Sequence, residues 1–318
     1  MNAPTATGKL RLGVSGCLLG EAVRFDGGHK HDRYLTDVLG RWFDFVPVCP
    51  EVGIGMGVPR EPIRLVQIGE GVRVRGVPAP EVDFTDALAG YVDVVADDLA
   101  GIVGYVLKRA SPTCGMERVK VYPVGGGASR PVGTGAFAAA LMRRWPRLPV
   151  EEEGRLDDPI LRENFIERLF VYARLRPLLA APTAVSLMAF HDRHELLVMA
   201  HGQAAGERLG RLVATAGTTD PRAVAEDYAD ALMQALRRRA TRRRHAHVLE
   251  HLAGHLKRAL DADDEAELRE TITAYRLARV PLVVPMTLLR HHLRRNPHPH
   301  LQDQHYLAPH PAELMLRG

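Results

Sequence analysis

Three cysteines are the residues of this 318-residue chain whose surroundings best suit chemistry. Cys17, Cys49 and Cys114 stand in the segments SGC, CPE and SPTCG, each just beyond a short apolar run. Core cysteines usually lie inside strands or helices, whereas the backbone N–H groups of a turn can point at sulfur and stabilise a thiolate or a bridging sulfide. The sequence contains no C-x-x-C pair, which argues against a zinc ribbon or a zinc finger.

Several chemistries fit three cysteines that are far apart in the sequence. Buried packing is one, because cysteine is among the most buried residue types. A reactive thiol and a structural zinc site with three thiolates are two more. Three thiolates can also bind three irons of a cubane cluster, which leaves the fourth iron open for a substrate. The residues alone leave these alternatives open.

Apolar runs predict the strands that position the cysteines. The segments 10–14, 45–48 and 102–107 predict short strands, and each delivers one cysteine near its end. Alternation with helical segments predicts an α/β fold, namely a mainly parallel-sheet, Rossmann-like N-terminal domain that we place at residues 1–158. Sites in such sheets collect at the carboxyl ends of the strands, where all three cysteines fall. The other predicted elements are a helix at 34–43, a hairpin or a sheet edge formed by 64–68 and 72–77, a helix at 84–99 with Thr85 as N-cap, and a helix at 133–145.

Residues 159–318 predict a mostly α-helical C-terminal domain, because helical periodicity recurs along this part of the chain. The expected helices span 160–175, 184–203, 220–260, 265–279 and 285–295, and residues 296–311 are expected to form an extended, Pro/His-rich tail. The formal net charge of +4 arises entirely beyond residue 175, where 13 of the 15 histidines also lie. A basic, His-rich domain predicts an anionic partner.

A run of arginines is the strongest charge feature of that domain. The pattern places six of them as a collar on the predicted helix 220–260, namely Arg237, Arg238, Arg239, Arg242, Arg243 and Arg244. A solvated surface helix tolerates such charge, but concentrated arginine is also what phosphate recognition uses. We therefore predict an RNA-binding surface at these residues.

Composition and the N-terminal residues predict a cytoplasmic protein. Residues 1–9 lack the apolar core of a signal peptide. No apolar run approaches the roughly 20 residues that span a bilayer, so we expect no membrane partner. Three cysteines in a chain of this length do not form a disulfide scaffold.

The segments around the cysteines resemble one known family. VSGCLLG at 14–20, RFDGGH at 24–29, CPE at 49–51 and KRASPTCG at 108–115 resemble the motifs of the 2-thiouracil desulfidases, over about residues 9–145. In the C-terminal part, the stretches 189–201, 240–243, 248–252, 275–276 and 280–285 resemble the YbgA-type domain, over about residues 185–311.

The resemblance implies an α/β domain that holds a [4Fe-4S] cluster on Cys17, Cys49 and Cys114. Glu51 matches the family's proposed catalytic acid/base, and Ser111 matches its helper. The two-domain combination resembles fused desulfidases implicated in removing sulfur from 4-thiouridine in tRNA. The implied activity is a non-redox conversion of thiolated uracil to uridine, with release of sulfide. Apart from the resemblance, Glu51 and Ser111 also suit a solvated turn or a helix cap.

Two other functions fit the same residues. One is the same chemistry on free thiouracil or a thionucleoside as a small-molecule substrate, although the basic second domain favours thiolated tRNA as the partner. The other is a non-enzymatic Fe–S sensor that binds nucleic acid. A sensor needs the cluster and the basic surface, but it does not need Glu51 beside an open iron. Release of sulfide from a thiouridine substrate distinguishes the enzyme from the sensor.

Overall fold

The computed structural model describes residues 8–314 and 316–317. Contacts divide the chain into two compact units, one that extends to Asp158 and one that begins at Pro159. Most of the polar N-terminal stretch 1–9, for which we expected no signal peptide, lies outside the described residues. None of the helices in the described part of the chain combines the length and the apolar character that a membrane-spanning helix needs.

The N-terminal unit is built on two four-stranded sheets. The first has the strand order β2-β1-β5-β8, and its three strand pairs are all parallel. The second has the order β4-β3-β6-β7 and mixes one parallel pair with two antiparallel pairs. The strands are β1 Leu10–Ser15, β2 Phe43–Val48, β3 Ile63–Ile68, β4 Gly71–Gly76, β5 Ile102–Leu107, β6 Val119–Pro123, β7 Arg130–Gly133 and β8 Val150–Glu152.

In the described part of this unit, three α-helices accompany the sheets. They are α1 Pro50–Gly53, α2 Thr85–Val94 and α3 Ala136–Arg144. Every residue of β5 is buried, as expected for a central strand of a parallel sheet that is covered on both faces. The parallel sheet confirms the predicted α/β class of this domain.

The sequence predicted the three strands that precede the cysteines and the β3–β4 hairpin, but it was wrong about two local features. The helix expected at 34–43 is a π-helical turn at Tyr34–Val38, followed by a 3-10 turn at Leu39–Arg41, and β2 already begins at Phe43. Thr85 is the first residue of α2 rather than its N-cap, and its hydroxyl accepts the backbone N–H of Val74.

The C-terminal unit is helical, as predicted. Its helices are α4 Pro159–Ala180, α5 Ala184–His201, α6 Gln203–Thr215, α7 Pro221–Leu236, α8 Arg242–Leu256, α9 Ala262–Arg276, α10 Val283–Arg295 and α11 Pro299–Gln302. They enclose one apolar core, to which fully buried side chains such as Leu187, Leu197, Tyr228 and Leu249 contribute.

Two predictions for this unit were wrong. The single helix expected over 220–260 is interrupted: α7 ends at Leu236, and α8 starts only after Thr241, whose side chain accepts the backbone N–H of Arg244. The tail expected to be extended at 296–311 contains α11, and Tyr306 within it is fully buried in the core. This tail is therefore a packed part of the domain.

Candidate functional site

The carboxyl edge of the parallel sheet brings the predicted site residues together. Cys17 lies in a 3-10 turn just after β1, Cys49 directly follows β2, and Cys114 lies in the loop after β5. Because these three strands are parallel neighbours, their ends meet at one edge. The three cysteines, Glu51 and Ser111 all line a single cavity of about 220 Å³.

The loop that carries Cys114 is fixed by backbone hydrogen bonds to the start of α3. The N–H groups of Ala136 and Ala138 donate to the carbonyl oxygens of Pro112 and Thr113, both at 3.1 Å. The first N–H groups of a helix have no partner within the helix, so a neighbouring carbonyl satisfies them well. The N-terminal end of α3 thus fixes the backbone of the Cys114 loop.

Ser15, at the end of β1, links two of the cysteine-bearing segments. Its hydroxyl accepts the backbone N–H of Lys108, the first residue after β5, at 3.0 Å. Ser15 is only 2% exposed, so solvent does not compete for this bond. The strand that leads to Cys17 is therefore tied to the loop that carries Cys114.

All three thiols are harder to ionise than an ordinary cysteine. Burial raises the pKa of Cys17 to about 11, although the nearby charge of Lys108 lowers it. Burial also raises the pKa of Cys49, and it raises that of Cys114, where the charge of Glu51 adds to the effect. Free thiols of this kind are poor nucleophiles at neutral pH, which disfavours the reactive-thiol alternative. A metal that binds them must displace their protons.

Glu51 lies in α1 and is held by two other side chains. Its Oε2 accepts hydrogen bonds from Nε of Arg60 at 2.8 Å and from Nη2 of Arg60 at 2.6 Å. Its Oε1 accepts the hydroxyl of Thr113 at 2.7 Å. Both oxygens are therefore engaged, while the side chain, 14% exposed, still borders the cavity.

The charged side chains that line the cavity are basic, apart from Glu51. Arg24, Arg60, Lys108 and Arg109 line it. The ammonium of Lys108 is paired with the carboxylate of Glu153, which also accepts the backbone N–H of Arg109 at 2.7 Å. Arg60 is paired with Glu51 and Arg24 with Asp26, so neighbouring carboxylates balance most of the positive charge around the cavity.

The donor set fits a cubane cluster better than a single ion. In the described part of the chain, no three His, Cys, Asp or Glu side chains converge closely enough to bind one metal ion. The three cysteines of a cubane each bind a different iron, so they need to line a wider space. Three thiols around one cavity, with basic side chains beside them, provide this arrangement.

Three residues of the site were missed by the sequence analysis. Ser15 and Thr113 stand in motifs that were recognised, but their types gave no signal beyond a turn. Arg60 is separated from Glu51 by a glycine- and proline-containing loop, and no spacing rule connects the two. Arginine in such a segment is ordinary, so only the folded chain reveals its contacts.

The predicted RNA-binding arginines lie at the junction of α7 and α8. Arg237, Arg238 and Arg239 follow α7, whereas Arg242, Arg243 and Arg244 form the first turn of α8, so the six are not a collar on one helix. Five of them are exposed and Arg244 is half-buried. The guanidinium of Arg242 donates to the carbonyl of Tyr275 at 3.1 Å and lies over its ring, so this arginine also stabilises the fold.

Both parts of the chain match known protein families. Residues 12–153 match the family described as 2-thiouracil desulfurase. Residues 195–311 match the family of proteins of unknown function called DUF1722. The N-terminal part of the chain is therefore similar to the 2-thiouracil desulfurases, and the C-terminal part is similar to the DUF1722 proteins. These matches confirm the resemblances on which the sequence prediction rested.

Two known proteins are similar to parts of this chain. The uncharacterized protein YbgA of Escherichia coli strain K12 is 28% identical over 139 residues, which are 42% of this chain and 80% of YbgA. A solved structure, described as the [4Fe-4S]-dependent thiouracil desulfidase TudS, is 29% identical with a TM-score of 0.38. That match covers 47% of this chain and 95% of the TudS chain.

Proposed function

We propose that this chain is a [4Fe-4S]-dependent desulfidase that converts thiolated uracil, with 4-thiouridine in tRNA as its substrate, into uridine and sulfide. The observation that carries the proposal is the shared cavity. Cys17, Cys49 and Cys114 line it together with Glu51 and Ser111, in a domain of the 2-thiouracil desulfurase family. A non-enzymatic sensor has no need of Glu51 in that position.

The reaction exchanges sulfur for oxygen without a change in oxidation state. Water supplies the oxygen of the new C=O bond, the C–S bond breaks, and both protons of water leave with the sulfur as hydrogen sulfide. When bound by the three cysteines, the cluster supplies an iron without a protein ligand, which acts as a Lewis acid with affinity for sulfur. No external reductant is needed.

The protein's own side chains bind the base and move the protons. Glu51, fixed at both oxygens, is the acid/base that takes the proton from the attacking water or delivers one to the departing sulfur. Ser111 is the hydrogen-bond donor to the base or to the charge that develops on it. Phe25, a residue that is 42% exposed, lines the same cavity, and its ring offers an apolar face on which a pyrimidine can stack.

The arginines at the α7–α8 junction support tRNA as the substrate. In the described part of the chain, the side chains of Arg238, Arg239, Arg243 and Arg244 have no hydrogen-bonded or ion-paired partner. Arg243 and Arg244 also lie in the first turn of α8, where the helix dipole disfavours positive charge. Binding of phosphate by these arginines would compensate the free energy that their unfavourable position costs the fold. Contacts to the RNA backbone do not require recognition of the base sequence.

Anaerobic reconstitution tests the proposal. The protein is loaded with iron and sulfide, the bound iron is counted, and sulfide release is measured with tRNA that contains 4-thiouridine and with free thiouracil. We expect about four irons per chain and sulfide release from tRNA at a much higher kcat/KM than from the free base. A loaded protein that releases no sulfide from either substrate overturns the desulfidase assignment. Faster turnover of the free base overturns tRNA as the substrate.

A further inference from the structure

Arg60 connects the segments that follow two of the three cysteines. Its Nη2 donates to the carbonyl of Val23, six residues beyond Cys17, at 2.9 Å. The same Nη2 and the Nε donate to Oε2 of Glu51, two residues beyond Cys49. The Nη1 donates to the carbonyl of Gly57 at 2.9 Å. With its side chain only 5% exposed, Arg60 directs its guanidinium nitrogens entirely at protein acceptors.

Thr113 brings the third cysteine segment into the same network. It immediately precedes Cys114, is fully buried, and donates its hydroxyl to Oε1 of Glu51 at 2.7 Å. Glu51 therefore receives Arg60 on one oxygen and Thr113 on the other. A carboxylate fixed at both oxygens cannot rotate about its terminal torsion without breaking one of these bonds.

Arginine has a geometric reason to occupy position 60. Its planar guanidinium directs donors to Glu51, Val23 and Gly57 at once, whereas the ammonium of lysine is a single point on a flexible stem. A lysine at this position can pair with Glu51, but it cannot also reach both carbonyl oxygens. Position 60 therefore distinguishes a general need for positive charge from a need for this particular shape.

We propose that Arg60 and Thr113 are the positioning residues that set the orientation of the Glu51 carboxylate for the desulfidase reaction. The proposal rests on the proposed function. Neither side chain acts on the base itself, and both act through Glu51. Displacement of a catalytic group by about 1 Å can cost on the order of 100-fold in rate, so the loss of either contact should be visible in turnover.

The decisive variants are Arg60→Lys and Thr113→Val. Thr113→Val removes the hydroxyl while keeping the shape of the side chain, so it removes only the contact to Oε1 of Glu51. Arg144→Lys is the matched control, because Arg144 forms an exposed ion pair with Asp93 in the same domain. Each protein is measured for thermal unfolding, bound iron, visible absorption, kcat and KM, and crystals of metal-free Thr113→Val report the rotation of the carboxylate.

We expect both variants to fold, to bind iron like the wild type, and to keep KM within about twofold, while kcat falls about 10–100-fold. In metal-free Thr113→Val, we expect the Glu51 carboxylate to be rotated. Unchanged kcat in both variants overturns the positioning role while the desulfidase activity stands. If both variants lose bound iron while Arg144→Lys keeps it, the positioning role is also overturned, because the network then serves to retain the cluster. If the wild type itself releases no sulfide, the proposed function fails, and with it the role assigned to Arg60.

Discussion

The hydroxyl oxygen of Ser111 accepts the backbone N–H of Cys114 at 3.0 Å. It accepts a second N–H, from Thr113, at 3.1 Å. A hydroxyl has two lone pairs and one hydrogen, so these two bonds leave the hydrogen of Ser111 free to donate. Since Ser111 lines the cavity, its oxygen fixes the cysteine loop while its hydrogen is available to a bound base.

Ser111→Ala should therefore impair two properties at once. The two N–H groups of the loop lose their acceptor, which costs about 1–3 kcal/mol for each group left without a partner, and bound iron should fall. Among molecules that still hold iron, kcat should fall about 10–100-fold, because the donor to the base is lost. Ser111→Thr keeps the hydroxyl and should retain both properties. Full activity in Ser111→Ala, measured per bound iron, contradicts the donor role.

Glu51→Gln removes the acid/base group while keeping the shape of the side chain. The amide can still accept Thr113 on its carbonyl oxygen, but its NH2 then faces the donors of Arg60, so the contact with Arg60 is lost as well. We expect the visible absorption and the iron content to stay within the wild-type range, while sulfide release falls on the order of 100–10,000-fold. The measurement is single-turnover sulfide release per bound iron. A variant that retains wild-type turnover shows that Glu51 transfers no proton in the rate-limiting step.

The arginine junction shows why part of the fold was hidden from sequence analysis. Arginine has a high helix propensity, so the sequence pattern predicted a helix that continues through residues 237–241. In the structure, the side chain of Asn164 donates to the carbonyl of Leu236 at 3.0 Å, and His201 binds the carbonyl of Arg238. These contacts come from α4 and α5, far away in sequence, and satisfy the carbonyls at the end of α7. Only the Thr241 cap was a local signal.

The same distinction between local and distant signals applies to the site. The strands before the three cysteines were predictable, because each is a short apolar run and parallel strands end at one edge. The helix predicted at 34–43 was wrong because Leu35 and Leu39, both fully buried, have the spacing of one helical face although the chain forms only short turns there. Arg60 was missed because its partners are 9 and 37 residues away, beyond the reach of any periodicity.

The salt dependence of tRNA binding tests the arginine junction. Replacing Arg238, Arg239, Arg243 and Arg244 together by Gln should weaken binding of thiolated tRNA. It should also reduce the slope of log K against log salt by about 3, since each phosphate contact contributes about 0.7–0.9. Arg242 is kept because it donates to the carbonyl of Tyr275. The control is Arg269→Gln, which removes an exposed arginine paired with Glu265. If the wild type and the quadruple variant show the same slope of log K against log salt, RNA binds at another surface.

Buried histidines should make the C-terminal helical domain sensitive to acid. Burial lowers the pKa of His245 and His305 to about 3 and that of His310 to about 4, and it lowers the pKa of His194 well below its ordinary value. An unfolded histidine gains its proton near pH 6.5, so between about 6.5 and 4 the unfolded state binds more protons. The free energy of unfolding contributed by these groups is therefore complete above pH 6.5 and falls below it.

Urea unfolding at pH 7.5 and pH 5 measures this effect for each domain separately. Both tryptophans, Trp42 and Trp145, precede residue 159, so their fluorescence reports the N-terminal domain, while far-UV ellipticity is dominated by the helical domain. The ellipticity midpoint should fall at pH 5. The fall should be smaller in His245→Gln, and His247→Gln, an exposed position on the same helix, should behave like the wild type. A midpoint that does not change with pH contradicts the prediction.

Gly135 permits the contact that holds the Cys114 loop against α3. A Cβ at this position would lie 2.4 Å from the carbonyl carbon and oxygen of Thr113, which are backbone atoms that cannot rotate away. Gly135→Ala should therefore push the loop from the helix, cost about 1–3 kcal/mol in the free energy of unfolding, and reduce bound iron. The test compares Trp fluorescence unfolding and iron content with those of Gly90→Ala. A Cβ at Gly90 in α2 meets nothing within 4 Å, so alanine there should be neutral or stabilise the domain by up to about 1 kcal/mol.

If Gly135→Ala unfolds and binds iron like the wild type, the contact between α3 and the loop does not hold Cys114 in place, and rigidity of the site must come from Ser15 and Ser111 instead.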